Sequence, residues 1–181
     1  MISKYFGMLG GVFLSLSFIP SVSIVFTILG LIFLGVAIND LAKGTKGFSY
    51  FLIGAVLALI ASLLFYFKLV AIIVSLLLGA TTSEPVVMGA SILIYIAIYY
   101  VLSIASAVYY YKSFALISKK FNNSYFDYGG KFLVIGSVLN PFAVGLIISV
   151  VAWILIIIGF VTVEDIIEVE IIEEEEKLLK S

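Results

Sequence analysis

The sequence predicts an all-α fold, a polytopic transmembrane helical bundle, from its composition, its apolar blocks and its charge distribution. Of the 181 residues, 64% are hydrophobic and the mean hydropathy is +1.29, whereas a soluble domain has about 45–50% apolar residues. Apolar blocks at 5–38, 48–80, 86–111 and 132–163 each exceed the roughly 20 residues that a helix needs to cross a bilayer. We therefore expect a lipid bilayer around the chain.

Charge is divided unevenly along the chain. Up to Val163 there are eight lysines and three acids, which give a charge of +5. Residues 164–181 hold eight acids and two lysines, which give −6. We therefore predict a transmembrane domain at 1–163 and an acidic extramembrane tail at 164–181. Because Glu173 and Lys177 are four apart, in the order that stabilises a helix, we expect the tail to be helical. A frayed, solvated acidic end is the alternative.

The first apolar block predicts a hairpin of two helices. Pro20 lies inside it, and proline lacks an amide hydrogen and clashes with the preceding turn. We expect a short arm at about 3–18 and a long arm at about 22–42. A kink within one spanning helix is the alternative.

The middle of the chain predicts a long central hairpin. Residues 80–85 form the clearest turn signal in the sequence, and Pro85 suits the first turn of a helix, where its missing donor costs nothing. We expect helices at about 48–79 and 85–120. At about 1.5 Å per residue each approaches 50 Å, so both helices should extend beyond the hydrocarbon layer.

The last block repeats the pattern of the first. Pro141 divides it into a short arm at about 130–140 and a long arm at about 142–163. Gly10-Gly11 and Gly129-Gly130 precede the two prolines at similar distances, which indicates a weak internal repeat or a chance similarity. The total is about six helical segments, with two proline-cornered hairpins flanking the central one.

Lysine placement predicts the orientation in the membrane. Lysines occur in the loops at 39–47 and 112–131, whereas the turn at 80–85 has no basic residue. Because cytoplasmic loops are enriched in lysine and arginine, we expect a multi-pass protein of the cell (plasma) membrane with both lysine loops in the cytoplasm and the turn outside. Six segments would place both termini inside, and four would place them outside.

Several kinds of chemistry are excluded by composition. The chain has no histidine and no cysteine, so it lacks the commonest general base, the thiolate nucleophile and the usual zinc ligands. No phosphate-binding glycine loop or hydrolase motif occurs. Small lysine clusters at membrane edges give no case for nucleic acid. We predict no catalytic residue, no cofactor and no metal, and thus no enzyme.

A few polar residues are candidates for a site. Lys68 is the only charge inside an apolar block, and a lysine at the membrane centre costs on the order of 3 kcal/mol or more. Snorkelling to an interface is the alternative for this side chain. Asn39 and Asn140, each at a predicted helix end, could line a polar pocket with Ser137, or could simply cap helices.

Small residues recur at the four-residue spacing that lets helices pack closely in a membrane. They predict packing faces, more often between helices of this chain than with a second chain. The positions are Gly7, Gly11 and Ser15; Gly54, Ala58 and Ser62; Ser103 and Ala107; and Gly145 and Ser149.

Several short segments resemble a known family. They are Tyr5-Phe6-Gly7-Met8-Leu9-Gly10-Gly11, Phe18-Ile19-Pro20, Ile28-Leu29-Gly30-Leu31-Ile32, Tyr110-Tyr111-Lys112-Ser113-Phe114 and Ala152-Trp153-Ile154-Leu155. The sequence resembles a family of small integral membrane proteins of unknown function, found mainly in archaea. The resemblance covers most of 5–45 and 105–163, matches 60–90 poorly and leaves out the tail. It implies a multi-pass helical membrane protein, with no activity or ligand attached. Scarce cysteine and glutamine also fit a thermophile.

Two functions are consistent with these features. The leading hypothesis is a non-enzymatic structural or accessory subunit of a membrane complex, which contacts a protein partner or a second copy through small-residue faces and the acidic tail. The alternative is a small transporter or channel that uses the breaks at Pro20 and Asn140-Pro141. Convergence of Lys68, Asn39, Asn140 and Ser137 on one cavity would favour transport.

Overall fold

The computed structural model describes residues 2–17, 19, 23–77 and 85–179, with side chains at 3–17, 19, 23–67, 70 and 93–163. These residues form six α-helices and one short 3-10 turn, with no strand among them, so the predicted all-α fold is confirmed. The helices are α1 Ile2–Leu16, α2 Ser23–Leu41, α3 Gly47–Leu77, α4 Pro85–Phe121, α5 Ser124–Leu139 and α6 Val144–Leu179, and the 3-10 turn is Asn140–Phe142.

Four of the helices are long and apolar enough to cross a membrane, as expected of a membrane protein. The qualifying segments are Ser23–Leu41, Gly47–Phe67, Leu93–Phe121 and Val144–Val163. Helices α1 and α5 have 15 and 16 residues. At about 1.5 Å per residue they are about 22 and 24 Å long, which is less than the full thickness of a hydrocarbon layer.

Consecutive helices pack in pairs as three antiparallel hairpins: α1 with α2, α3 with α4, and α5 with α6. In each pair, earlier residues of the first helix contact later residues of the second. The ring contacts that show this direction are Phe6–Phe33 at 5.3 Å, Phe13–Phe26 at 5.7 Å, Phe51–Tyr110 at 5.6 Å, Phe65–Tyr99 at 5.4 Å and Phe126–Phe160 at 5.0 Å. The chain thus reverses between α1 and α2 and between α5 and α6, and a kinked single span does not describe either pair.

The three hairpins close into a ring. Helix α2 packs on α3, α4 packs on α5, and α1 packs on α6, so each helix has its chain neighbours beside it and the first helix meets the last. Glycines make the closing contact possible. The positions where Gly7 and Gly11 would carry a Cβ are occupied by the Phe160 ring and by Ile157. The backbone of α1 therefore lies directly against side chains of α6.

The Gly-Gly pairs of the first and third hairpins occupy corresponding places. Gly10 lies against Gly30 and Leu34 of α2, its partner within the hairpin, and Gly129 lies against Ala152 and Ile156 of α6. Each following glycine packs on the other neighbour of its helix: Gly11 on α6 and Gly130 on α4. The shared environments support the internal repeat over chance similarity.

One end of the bundle holds most of the lysine residues. Lys120, in the last turn of α4, donates hydrogen bonds to the carbonyls of Leu41 (2.9 Å) and Lys43 (3.0 Å), so the ends of α2 and α4 meet there. Lys43 also pairs with Asp40 at 2.6 Å. We call this the lysine end. The last residue of α1, Leu16, the first residue of α2, Ser23, and the 3-10 turn at Asn140–Phe142 belong to the opposite end, because α2 and α6 run between the two.

Two helices differ in extent from the sequence-based expectation. Helix α5 begins at Ser124 rather than at about 130, because the Asn123 side chain accepts a hydrogen bond from the Tyr125 amide (3.0 Å) and caps it. Helix α6 continues without a break through 164–179, so the acidic tail extends a membrane helix. The Thr162 hydroxyl donates back to the Ile158 carbonyl (3.0 Å) and does not start a new helix.

Candidate functional site

A polar cavity of about 150 Å³ lies among α3, α4, α5 and α6. Its polar wall consists of five serines, two tyrosines and one asparagine, which are Ser62, Ser103, Ser106, Ser137, Ser149, Tyr99, Tyr110 and Asn140. Alanines, Leu133 and Trp153 form the apolar wall. No charged side chain lines the cavity within the described part of the chain.

The cavity lies in the half of the bundle away from the lysine end. At about 1.5 Å per residue, Leu133 is about 14 Å and Asn140 about 24 Å from Ser124, where α5 begins. A hydrocarbon layer is about 30 Å thick, so the cavity starts near the middle of the bundle and reaches the level of the 3-10 turn. Polar groups at this depth have no bulk water and need partners inside the protein or in a bound molecule.

Only part of the polar wall is satisfied by the protein itself. Ser106 donates to the Gly54 carbonyl across the α3–α4 contact (2.9 Å), and Ser149 donates to the Gly145 carbonyl of its own helix (2.9 Å). The Tyr110 hydroxyl oxygen is buried near Ser106 and makes no hydrogen bond of acceptable geometry among the described residues. A buried unpaired hydroxyl costs about 1–3 kcal/mol, an energy that a guest molecule would recover if it formed a hydrogen bond with this group.

The Tyr110 side chain, only 6% exposed, is held in place by its neighbours. Its ring lies 5.6 Å from the Phe51 ring and 6.2 Å from the Trp153 ring, and it fills the space that a side chain at position 54 would need. Gly54 therefore acts as the surface against which the tyrosine rests. The contacts with Phe51, Trp153 and Gly54 hold the Tyr110 ring in one position in the cavity wall.

Aromatic side chains close the cavity toward the lysine end. Trp153 contacts Phe114 at 6.5 Å, Phe114 stacks on Phe126 at 6.0 Å, and Phe126 meets Phe160 edge-on at 5.0 Å. We call these four residues the aromatic floor. Each has at most 5% of its surface exposed, so the floor is a closely packed layer between the cavity and the lysine end.

The cavity arises where small residues of several helices face one another. Ala58 and Ser62 on α3, Ser103 and Ala107 on α4, and Ser149 on α6 all line it. Two small side chains opposite each other leave a gap, because neither reaches across. At Gly54 no gap is left, because the Tyr110 ring occupies the space beside the glycine. The small residues thus allow close packing of α3 and α4 at the level of Gly54 and leave the cavity open at the level of Ser62 and Ser103.

The predicted polar residues are only partly brought together. Asn140 and Ser137 both line the cavity. Asn39 does not, because it is exposed at the lysine end of α2. Lys68 belongs to α3, but its side chain lies outside the described residues, and so does Pro20. The convergence that would favour transport therefore includes two of these four polar side chains, together with serines and tyrosines that were not expected.

The other predicted positions have structural roles. Pro141 lies, exposed, in the 3-10 turn and marks the reversal between α5 and α6. Gly7 and Gly11 are buried against α6, and Gly54 is buried against α4 of the same chain. Their small faces are occupied within the bundle, so none of the three offers a surface to a second chain.

The sequence did not single out Tyr110, Ser106 or Trp153. Tyr110 occurs in the run 109–111, which is typical of interfacial aromatic residues. Its neighbour Tyr109 does behave that way, since it packs on Tyr50 at 6.3 Å with Lys112 over its ring. The signal that could have separated them is spacing, because Ser103, Ser106 and Tyr110 share one face of α4 at intervals of three and four residues.

Comparison with curated proteins and with solved structures finds no match to the chain. Residues 26–154, from α2 into α6, match a family described as "Protein of unknown function (DUF996)". The matched range includes 60–90, where the resemblance in short segments is weakest, and it leaves out α1 and the acidic tail. Since this range covers well over half of the sequence, the chain belongs to the DUF996 family.

Proposed function

We propose that this membrane protein binds a small polar solute in the cavity among α3–α6 and passes it across the bilayer. The observation that carries the proposal is the buried, unpartnered Tyr110 hydroxyl in a wall of serine side chains. Polar groups inside a membrane bundle are costly and are typical of solute pathways. The transport hypothesis, which ranked second from sequence, therefore ranks first. It requires no enzymatic step.

The asymmetry of the cavity supports one-sided access in this conformation. Asn140 and Tyr99 lie on the side away from the lysine end, and the aromatic floor closes the opposite side. Transport would then need the floor to open while the side near Asn140 closes. The three hairpins would shift relative to one another as units, as in carriers built from repeats.

Liposomes containing the purified protein test this function. A panel of small neutral solutes is applied in an osmotic gradient, and swelling is followed by light scattering. We expect at least one solute to enter faster than in protein-free liposomes, and Ser103→Leu, which fills the cavity, to abolish the increase. Ser15→Leu on α1, which does not line the cavity, should leave it unchanged. If no solute enters faster, transport is refuted.

An accessory subunit is the second candidate, and the exposed outer parts of α3 and α4 favour it. Phe67 and Leu93 are 67% and 68% exposed, and α4 continues toward Pro85 beyond the level where Tyr100 bonds the Val138 carbonyl. Such apolar faces suit lipid or partner helices. Purification from native membranes in mild detergent discriminates the candidates: stoichiometric partner proteins would support the subunit, and a single species would count against it.

We propose the plasma membrane as the location, with the lysine end in the cytoplasm. Lys43 and Lys46 lie in the loop after α2, and Lys119 and Lys120 lie in the last turn of α4, all on that side. Lys112 lies within α4, so the predicted lysine loop at 112–131 is instead the end of α4 and the beginning of α5. Cytoplasmic loops carry an excess of basic residues. The first residue of α1 and residue 163 of α6 would then both be cytoplasmic, since the three hairpins bring the chain back to the side on which it starts.

A further inference from the structure

We infer that the ligand of this cavity is a small uncharged polyol of about six non-hydrogen atoms, the size of glycerol. The inference rests on the proposed function and adds the chemical class of the solute. It is carried by three properties of the cavity: its volume, the kind of hydrogen-bonding groups in its wall, and the arrangement of its apolar wall.

Volume sets the size of the ligand. The cavity measures about 150 Å³. A water molecule occupies about 30 Å³ in the liquid, so about five waters would fill the space, and an apolar cavity of about the same volume accepts one benzene, with six non-hydrogen atoms. Sugars with about twice that number of atoms exceed the space.

Hydroxyl groups dominate the polar wall and set the class. A hydroxyl both donates and accepts, so serine and tyrosine side chains can each complement the hydroxyls of a polyol in either direction. Ser62, Ser103 and Ser137 make no hydrogen bond to the described protein, and Tyr110 is nine-tenths buried without a partner. None of the described residues that line the cavity carries a charge, so a carboxylate or ammonium ligand would be buried among them without an opposite charge, which is strongly unfavourable.

Apolar atoms form the remaining wall. Ala58, Ala61, Ala107 and Leu133 face the cavity together with the Trp153 ring. A polyol has carbon atoms along one side when its hydroxyls turn to the other, so it can contact both walls at once. Water alone would leave the apolar wall without favourable contacts, whereas a purely apolar guest would leave Tyr110 unsatisfied.

Trp153 gives a direct measure of occupancy. It is the only tryptophan in the chain, and it lines the cavity. We expect the tryptophan emission of the purified protein to change saturably with glycerol, and to show no saturable change with mannitol, which has the same chemistry but is too large. Acetamide and sodium acetate should also give no saturable change.

Two variants test whether the change in tryptophan emission comes from glycerol bound in the cavity. In Tyr110→Phe, loss of the hydroxyl should weaken glycerol binding about fivefold to tenfold, the effect of one hydrogen bond. Tyr109→Phe, the adjacent tyrosine outside the cavity, should bind as the natural chain does. If Tyr110→Phe fails to fold, as judged by gel filtration and helical circular dichroism, Ser103→Ala is measured in its place with the same expectation.

The outcomes distinguish failure of the polyol inference from failure of the transport proposal. Saturable glycerol binding without solute entry into liposomes would support the polyol site and refute transport. Solute entry with a saturable response to acetamide or acetate, and none to glycerol, would overturn the polyol inference and leave transport standing. A glycerol response that is equal in Tyr110→Phe and the natural chain, or one shared by mannitol, would also overturn the inference.

Discussion

Asn123 joins two helices at the lysine end with a single side chain. Its carbonyl oxygen accepts from the Tyr125 amide at 3.0 Å, and its amide nitrogen donates to the Gly159 carbonyl (3.2 Å) and to the Thr162 hydroxyl (2.8 Å). The residue is only 4% exposed. It therefore fixes both the start of α5 and the position of that start relative to α6.

Replacing this residue should destabilise the bundle. We expect Asn123→Ala to lower the free energy of unfolding by about 2–3 kcal/mol, because the helix cap and the bonds to α6 are lost together. Titration of the detergent-solubilised protein with sodium dodecyl sulfate, followed by circular dichroism, measures the change.

Asn39→Ala is the matched control, since Asn39 is exposed at the end of α2. Exposed substitutions usually alter stability by less than about 0.5 kcal/mol. Equal stability of Asn123→Ala and Asn39→Ala would contradict the assigned role of Asn123.

Single residues were predictable where local chemistry determines their role. Asn140 and Ser137 were predictable as pocket residues, because a polar side chain near a proline break inside an apolar block needs a partner away from lipid. Asn123 is, by sequence, only the middle of a glycosylation motif, Asn122-Asn123-Ser124. Its bonds to α6 depend on residues 36 and 39 positions away, and no local pattern contains them.

At the scale of helices, the reversal between α5 and α6 depends on close backbone contact. Ala143 adopts a positive φ of 55°, and the next-but-one residue, Gly145, lies against the backbone of Asn140 and Gly136. A Cβ at 145 would overlap backbone atoms, so only glycine fits. Pro141 starts the reversal, and Gly145 permits α6 to return beside α5.

The contact between α1 and α6 can be tested by a designed disulfide. A Cβ placed on Gly11 would lie 3.9 Å from the Cβ of Ile157, within the range of natural disulfides. In Gly11→Cys with Ile157→Cys, the larger isoleucine side chain that would clash is removed at the same time. We expect the pair to oxidise readily in the membrane, which is detected by mass spectrometry of the cross-linked peptides.

Gly44→Cys with Ile157→Cys provides the comparison. Nothing lies within 4 Å of a Cβ at Gly44, so this pair should remain reduced under the same conditions. Because the natural chain has no cysteine, any cross-link comes from the introduced residues. Failure of the first pair to oxidise would contradict the packing of α1 on α6.

Helices were predictable from apolar length and from proline. Hairpins with corners near 20 and 141 follow from the missing amide hydrogen and from the length of each block. The continuous α6 was not expected, because Thr162-Val163-Glu164-Asp165 has the pattern of a helix start. No glycine or proline follows Gly159, and so nothing in this stretch stops the helix that is already formed.

For the molecule as a whole, the central hairpin of α3 and α4 predicts that the α2–α3 loop and the α4–α5 loop lie on the same side of the membrane. Single cysteines report this directly, because the chain has none of its own. In intact cells, Lys46→Cys should be protected from a membrane-impermeant maleimide and should react after permeabilisation. Thr82→Cys, in the predicted external turn, should react without permeabilisation.

Asn122→Cys extends the test to the loop between α4 and α5. It is exposed there and should behave as Lys46→Cys does. Labelling of Lys46→Cys and Asn122→Cys on opposite sides would contradict the hairpin arrangement, and labelling of both from outside would invert the orientation while leaving the hairpins intact.

Fold class and membrane residence were predictable from composition, since no soluble core can hide so many apolar residues. The division into a +5 body and a −6 tail predicts that the membrane part ends near Val163. The cavity was not predictable. It forms where small residues on α3, α4 and α6 meet, and their meeting depends on helix rotation and on closure of the ring, which are long-range properties.

Closure of the ring has a consequence for the order of the chain. Because α1 and α6 are neighbours, the ring of six helices has no structural first or last member, and the chain could be opened at any of its connections. A circular permutant that starts at Gly47, joins Val163 to Ile2 through a flexible linker and ends at Leu41 would keep every helix beside its present neighbours. Its new opening would lie between α2 and α3.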